Sequence, residues 1–500
     1  MKYIIAHDLG TSGDKASLYT VEGEFIASAV CEYKTEYSHG CWAEQDPGEW
    51  WSAICSATQE IMQGQNKKDV ACIALSGQMM GCLCIDQNGT PLTNSIIWQD
   101  SRAKEEAKLL TERVGGISEG CRMAGQQISA NYTLSKLMWI KRHMPDVYSR
   151  TRTVFTAKDY ITFRMTGSRV TDPSDASLMQ AYDMEKGEWS EKLIGCAEVD
   201  GELFPEIRLA TDIIGTVTKK AAKELELREG TPVITGAGDG TCATLGAGAT
   251  VPGEGYASVG TSTWLCFVTD KLTPDPMGKI QIYPFTSKDT YNMAGTMQGG
   301  GLTYRWAREQ FFPEGTSYDE INKLIETSPP GANGVLFLPY LMGERSPWWN
   351  ANVRGSFLGL SGATNKADML RAVLEGVTYN MRLILDDIRK MNRFEGEMNM
   401  IGGGAKGDVW AQMFADAFNM TVYKPQTVEE ATSFGAVILA AVGIGAIPDF
   451  DSAKKLIRII SQNNPNAERT KIYEERARIF KDAYLALEPL AKRILMGGNN

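Results

Sequence analysis

Histidine is scarce in this sequence. Only His7, His39 and His143 occur in 500 residues. Histidine-metal centres and Ser-His-Asp triads therefore have few candidates, and proton abstraction falls to a carboxylate. No G-x-x-x-x-G-K-[ST] run is present, which excludes a P-loop nucleotide site. No apolar run approaches the roughly 20 residues needed to cross a bilayer. The ten cysteines are scattered from Cys31 to Cys266. Only Cys82 and Cys84 are close, and C-x-C lacks the paired spacing of a zinc site. Free thiols in a reducing compartment are the expectation. The net charge is −10, and no basic stripe offers itself to nucleic acid. No charged and apolar leader precedes the first strand. The cytoplasm is the expected location, with neither membrane nor nucleic acid as a partner.

What is present reads as a two-domain α/β protein. The length exceeds one compact core, so two or more domains are expected. Hydrophobic residues make up 43% and charged residues 22%, ordinary values for a globular enzyme. The first fifty residues predict a strand meander, with Glu22-Gly23-Glu24 as one turn. Asp46 and Pro47 predict a helix start, with the helix running to about residue 62. Residues 69–75 predict a buried strand, and residues 131–143 and 158–165 predict helices. Residues 171–175 read as a loop. Strands first, then alternation of helix and strand, suit a mixed sheet with helices on both faces. Around residues 246–255 the composition turns to Gly and Ala, so domains over 1–246 and 247–500 are expected. Beyond it, strand, glycine turn and strand recur, which suggests an internal duplication. Helices are expected at residues 367–391, 408–418, 431–442 and 473–496.

Three glycine turns each follow a predicted strand: Gly10-Thr-Ser-Gly13, Gly260-Thr-Ser-Thr263 and Gly402-Gly-Gly404. Glycines let backbone N–H groups close on phosphate oxygens, and hydroxyls add donors. A single such turn is more often a structural hairpin; three after three strands favour phosphate. Gly236-Ala-Gly238-Asp-Gly240 lacks the third glycine and distant acid of a dinucleotide fingerprint. Asp239, hemmed in by glycines, is either a turn carboxylate bonding its own backbone or a general base. Asp8 is either a turn residue or a holder of Mg²⁺. Two acids beside phosphate-like turns fit phosphoryl transfer, which needs positioning, a metal and one base. Asp8 and Asp239 are expected to face each other across one cleft.

Longer motifs then carry a resemblance. Residues 131–143, Asn-Tyr-Thr-Leu-Ser-Lys-Leu-Met-Trp-Ile-Lys-Arg-His, form one. Gly355-Ser-Phe-Leu-Gly359-Leu with Asp368-Met-Leu-Arg-Ala372-Val-Leu-Glu375 forms another. The chain resembles the FGGY carbohydrate kinases of the actin/Hsp70-like ATPase superfamily, nearly end to end. The resemblance implies two actin/Hsp70-like (ribonuclease H-like) domains, each a mixed sheet flanked by helices, with a cleft between them. It implies ATP and Mg²⁺ as cofactors and a small-molecule sugar as substrate. A homodimer is one expectation for its assembly.

Residue by residue, it implies a first phosphate motif at Gly10, Thr11, Ser12, Gly13 and Lys15, and a second at Gly260 and Thr261. Gly301 and Arg305 fall in a further ADP contact. Gly403, Gly404, Ala405 and Asp408 fall in the adenosine motif. Gln78, Met79, Met80, Trp98, Asp100, Asp239 and Gly240 fall in the sugar site. Asp8 and Asp239 are the implied metal residues, and Asp239 the implied catalytic base. Within the family the sequence is most similar to the xylulokinase group, making D-xylulose the expected substrate. Two positions depart from that group's pattern: Met80 stands in place of His, and Gly240 in place of Asn. Another ketose or a polyol, and an ATPase switch without sugar chemistry, are the other readings.

Overall fold

The structure is a computed structural model and describes residues 1–287, 289–426 and 430–496. Its opening strand, Tyr3–Leu9, shows why the centre forms as it does. Ile4 and Ala6 point to one face and Ile5 and Leu9 to the other, and all four are fully buried. A strand with both faces covered carries a near-continuous apolar run. Gly13–Thr20 and Phe25–Glu32 meander from it antiparallel, while Val70–Gly77 and then Pro232–Ile234 join in parallel. Ile213–Thr216 closes that edge antiparallel.

The second half repeats the plan. Gly255–Val259 is followed antiparallel by Thr263–Thr269 and Tyr291–Met297, with Gln281–Pro284 at that edge. On its other side Glu397–Ile401 and Thr421–Pro425 run in parallel, and Ile459–Asn463 closes antiparallel. Three antiparallel strands followed by two parallel ones, twice, is the topology an internal duplication leaves. The expected two-domain α/β architecture is present.

Helices cover the outer faces. Pro47–Ile61 begins where Asp46 accepts from the Gly48 N–H at 2.7 Å, and it buries Trp50, Ile54, Ala57 and Ile61 at helical spacing. On the second sheet Lys366–Met391 starts with a reciprocal cap between Asn365 and Asp368 and buries a continuous apolar stripe. Two further helices, Asp239–Gly246 and Ala431–Gly443, lie between the sheets and share one core with both. They cross in backbone contact. A side chain on Gly246 would begin 1.7 Å from the Ala431 carbonyl oxygen, and one on Gly435 would begin 1.9 Å from that of Cys242. A mainly helical lobe over residues 104–150 and 191–197 has its own apolar core around Leu110, Leu134, Leu137 and Leu193.

Most expected elements are found within a few residues. One reading is corrected: residues 171–175 are not a plain loop, because Asp172 caps a short helix, Pro173–Leu178. The terminal helix also starts earlier than expected, at Ala467. The ten cysteines are all free. Among the described residues, no helix is long and apolar enough to cross a membrane.

Candidate active site

The sheet register places the two acids. Asp8 pairs with Ser76 on the neighbouring strand, and Ser76 pairs with Ala237 on the next. Asp239 follows two residues later as the first residue of the helix Asp239–Gly246. Asp8 and Asp239 therefore stand side by side along one rim of the first sheet, not opposite each other across a cleft. Both carry the marks of a shared site. Burial, then the charges of Asp239 and Asp14, push the Asp8 carboxyl up to about 7, against the pull of Ser76 and Lys15. Burial pushes Asp239 up to about 6, opposed by the Gly240 N–H. Asp239 still opens to solvent, which tempers that rise, and a helix N-terminus favours its ionised form.

Glycines shape the floor around Asp239. Gly236 has a φ of +72°, and a Cβ there would begin 2.1 Å from the Leu75 carbonyl oxygen. Gly238 lies flush against Met79, whose side chain fills the space at 2.3 Å where a Cβ would stand. At Gly240 the same space is taken by the buried Tyr283 hydroxyl, 2.6 Å away and belonging to the second sheet.

The first glycine turn is a tight hairpin in which the Gly10 N–H donates to the Gly13 carbonyl at 3.0 Å. Ser12 is exposed on it. Lys15 pairs with Glu430, at the entry to the helix Ala431–Gly443, tying the two halves together. Gln78 and Trp98 reach this turn. Gln78 Nε2 donates to the Gly10 carbonyl at 3.2 Å and to Gln45 Oε1 at 2.8 Å, and Trp98 Nε1 donates to Thr11 Oγ1 at 2.9 Å. Met80 adopts a left-handed φ of +66°, unusual without glycine. Lys136, fully buried, donates to the Met80 carbonyl at 2.9 Å and to that of Ile97 at 2.8 Å. Asp100 is fully buried and its oxygens are engaged by Arg102 and the Ala43 N–H.

The second turn receives a helix. Gly301 and Leu302, in the first turn of Gly300–Phe311, donate to the carbonyls of Gly260 and Thr261 at 2.7 and 3.1 Å. A Cβ on Gly301 would begin 2.3 Å from the Gly260 oxygen, so only glycine permits this approach. Thr261 is exposed above it. Arg305, further along the helix, lines an open cavity of about 420 Å³ with Leu302, Trp306 and Met342. In the third turn Gly402 has a φ of +85° and Gly404 packs on Val259, while Gly403 faces open space and Ala405 is buried. Asp408 is exposed and pairs with Lys424 at 2.8 Å.

Lys136 and Met80 lay within motifs quoted from the sequence, yet their mutual bond left no sequence signal. Neither did Tyr283, an unremarked tyrosine on a strand, nor the Lys15–Glu430 pair, which joins residues far apart in the chain.

Two sheets of one topology, the first with Asp8 and Asp239 along one rim and each with a glycine turn after its leading strand, define an actin/Hsp70-like two-domain phosphotransferase fold. The chain belongs to the FGGY family of carbohydrate kinases: residues 3–246 match that family's N-terminal domain and residues 255–444 its C-terminal domain. It is an ATP-dependent kinase acting on a sugar. Over 498 residues it is 34% identical to a xylulose kinase of Staphylococcus epidermidis, with 98% of each chain covered. Among solved structures, a ligand-bound xylulose kinase from Lactobacillus acidophilus superposes with a TM-score of 0.93 at 28% identity, covering 99% of this chain and 100% of the other. A gluconate kinase from the same organism superposes equally well, at 0.93 and 28%, with 99% of each chain covered.

Proposed function

We propose that the protein phosphorylates D-xylulose to D-xylulose 5-phosphate, with Asp239 as general base. The observation that carries this reading is Asp239 itself. It is a carboxylate open to solvent at a helix N-terminus, beside Asp8, with its carboxyl raised to about 6. A base with that affinity is ionised at neutral pH yet still holds a proton well.

In the proposed step Asp239 takes the proton from the sugar hydroxyl. The freed oxygen forms a bond to the γ-phosphorus of ATP, the bond from that phosphorus to the bridging oxygen breaks, and ADP leaves. The backbone of the Gly10 and Gly260 turns and the exposed hydroxyls of Ser12 and Thr261 hold the phosphates. Lys15, with Gly13 on the same strand, flanks them. Gly301 and Arg305 sit on the helix beside the second turn. Gly403, Gly404, Ala405 and Asp408 border the adenosine. Gln78, Met79, Met80, Trp98 and Gly240 shape the sugar pocket, and Asp100 braces its wall through Arg102.

A divalent cation fits beside the two acids. Their carboxylates repel each other, and hard oxygen donors suit Mg²⁺, which takes one or two carboxylates plus substrate phosphates. Among the described residues no cluster of three or more His, Cys, Asp or Glu is placed to cage a metal with protein alone. Asp8 and Asp239 would hold Mg²⁺, where it would neutralise charge on the transferring phosphoryl group.

The test is an ADP-release assay over pentuloses, hexuloses, polyols and D-gluconate, with product identification. D-xylulose is expected to give the highest kcat/KM, and Asp239→Asn to lower kcat by about 10²–10⁴-fold. Near-parental turnover in that variant refutes the base assignment. D-Gluconate is the second reading, favoured by the equal likeness to a gluconate kinase. Turnover of ATP that no sugar stimulates would overturn both.

A further inference from the structure

Directly beneath the Asp239 turn lies a group of charges that the reaction above does not use. Lys158, Asp159, Asp172 and Asp175 are all fully buried. The Lys158 ammonium lies 2.5 Å from Asp159, 3.2 Å from Asp172 and 3.3 Å from Asp175. Thr156 joins them, donating to Asp159 at 3.0 Å. Three carboxylates around one ammonium leave an excess of negative charge. Burial accordingly drives the Asp175 carboxyl well up and the Asp172 carboxyl up. Such clusters are poor sources of stability, since well-packed apolar residues of similar volume do as well or better. What this one holds is more informative.

It grips the segment before Asp239 at both ends. Lys158 Nζ donates to the Thr235 carbonyl at 3.4 Å. At the other end the Gly238 N–H, one residue before Asp239, donates to Ser174 Oγ at 3.0 Å. Ser174 in turn donates its hydroxyl proton to Asp172, which also accepts from the Ser174 N–H at 2.8 Å. The hydroxyl is thus oriented: its proton is committed to Asp172, so its lone pair faces Gly238. Between these anchors the backbone lies against Val70–Gly77, with no room for a side chain at Gly236 or Gly238.

We infer that Ser174, oriented by Asp172 and Lys158, is a positioning residue that fixes the backbone carrying Asp239. This rests on Asp239 being the base. Losing the Ser174 hydroxyl frees a buried N–H next to the base without touching substrate or nucleotide. A displacement of the base on the order of 1 Å is enough to cost about 10²-fold in rate.

The experiment compares Ser174→Ala, Ser174→Thr and Asp172→Asn with the parent full-length chain. Sites are counted by calorimetry with ADP, and kcat is expressed per site, so that unfolded protein does not count. Ser174→Ala is expected to lower kcat per site about 10–100-fold. KM for ATP is expected to stay near the parental value, and the solvent deuterium isotope effect on kcat to rise as proton transfer becomes limiting. Ser174→Thr, which keeps the hydroxyl, restores most of the rate, and Asp172→Asn lies between. Parental kcat per site in Ser174→Ala overturns the inference. So does a fall that tracks the loss of sites with an unchanged isotope effect. Asp239→Asn is run alongside: if it stays active the base reading itself fails, whereas an inactive Asp239→Asn with a fully active Ser174→Ala removes only the role of Ser174.

Discussion

Gly240 and Tyr283 share one small space. The Tyr283 hydroxyl lies 2.6 Å from where a Cβ on Gly240 would stand, and the ring carbon behind it lies 3.4 Å away. Gly240 belongs to the helix Asp239–Gly246 and Tyr283 to the second sheet, and Tyr283 is 6% exposed, so it has little freedom to withdraw. Gly240→Ala is expected to destabilise by about 1–3 kcal/mol through overpacking. Tyr283→Phe removes the clashing oxygen and leaves ordinary contact. The double variant is expected to recover most of the loss, a non-additive cycle measurable by thermal unfolding. Additive losses would show that the two residues do not compete for that space.

Proton uptake at the acids sets opposite trends for activity and stability. Asp239, with its carboxyl near 6, is ionised above that pH. The kcat/KM for the sugar is expected to fall as the pH drops through about 6. Stability runs the other way. Asp8 binds its proton more tightly in the folded chain, at about 7 against an ordinary 3.8, so its contribution is complete below pH 3.8 and is lost as the pH rises through 7. Asp8→Asn is therefore expected to raise the Tm at pH 8 and to change it little at pH 4, while lowering activity. An equal Tm change at both pH values would sever the link to this carboxyl.

Lys136 joins the two segments assigned to the sugar. Replacing it with methionine keeps most of the apolar stem but leaves the Met80 carbonyl unpaired in a buried site, while the Ile97 carbonyl keeps only the Asp100 N–H at 3.1 Å. Leaving one buried acceptor unpaired costs about 1–3 kcal/mol. Lys136→Met is expected to raise the sugar KM at least tenfold, about 1.4 kcal/mol, while leaving the KM for ATP unchanged. Measured KM values for both substrates decide this, and a shift in the ATP KM alone would contradict it.

Neighbouring glycines in the third turn separate fold from ligand. Gly403 faces open space, so Gly403→Val is expected to fold with a parental Tm and to raise the KM for ATP, with the sugar KM unchanged. At Gly404 a Cβ would begin 2.3 Å from Val259, so Gly404→Val is expected to lower the Tm. Parental ATP affinity in Gly403→Val would remove this turn from the nucleotide site.

Much of the fold was readable because strand and helix periodicities are local. Ile4, Ile5 and Ala6 announce a strand covered on both faces, and Asp46-Pro47 announces a helix start. The glycine turns and both acids were readable for the same reason. Relationships across the chain were not. Asp8 and Asp239 share a rim because Ser76 pairs with both strands, and nothing in either motif encodes that register. Residues 171–175 read as a loop because Pro and two Asp are turn formers, yet Asp172 is a helix cap bonded into a buried cluster. Tyr283 and Glu430 gain their importance from the partner each meets, far away in sequence.

The helix Ala431–Gly443 has a consequence for how the chain is made. It covers the face of Tyr3–Leu9 that presents Ile4 and Ala6, so during synthesis that strand waits for a helix made far later. At about 5–20 residues per second the delay is on the order of 20–90 s. Through that interval the first sheet carries a bare apolar face. Its two halves, made as separate polypeptides, would each lack part of the core they share.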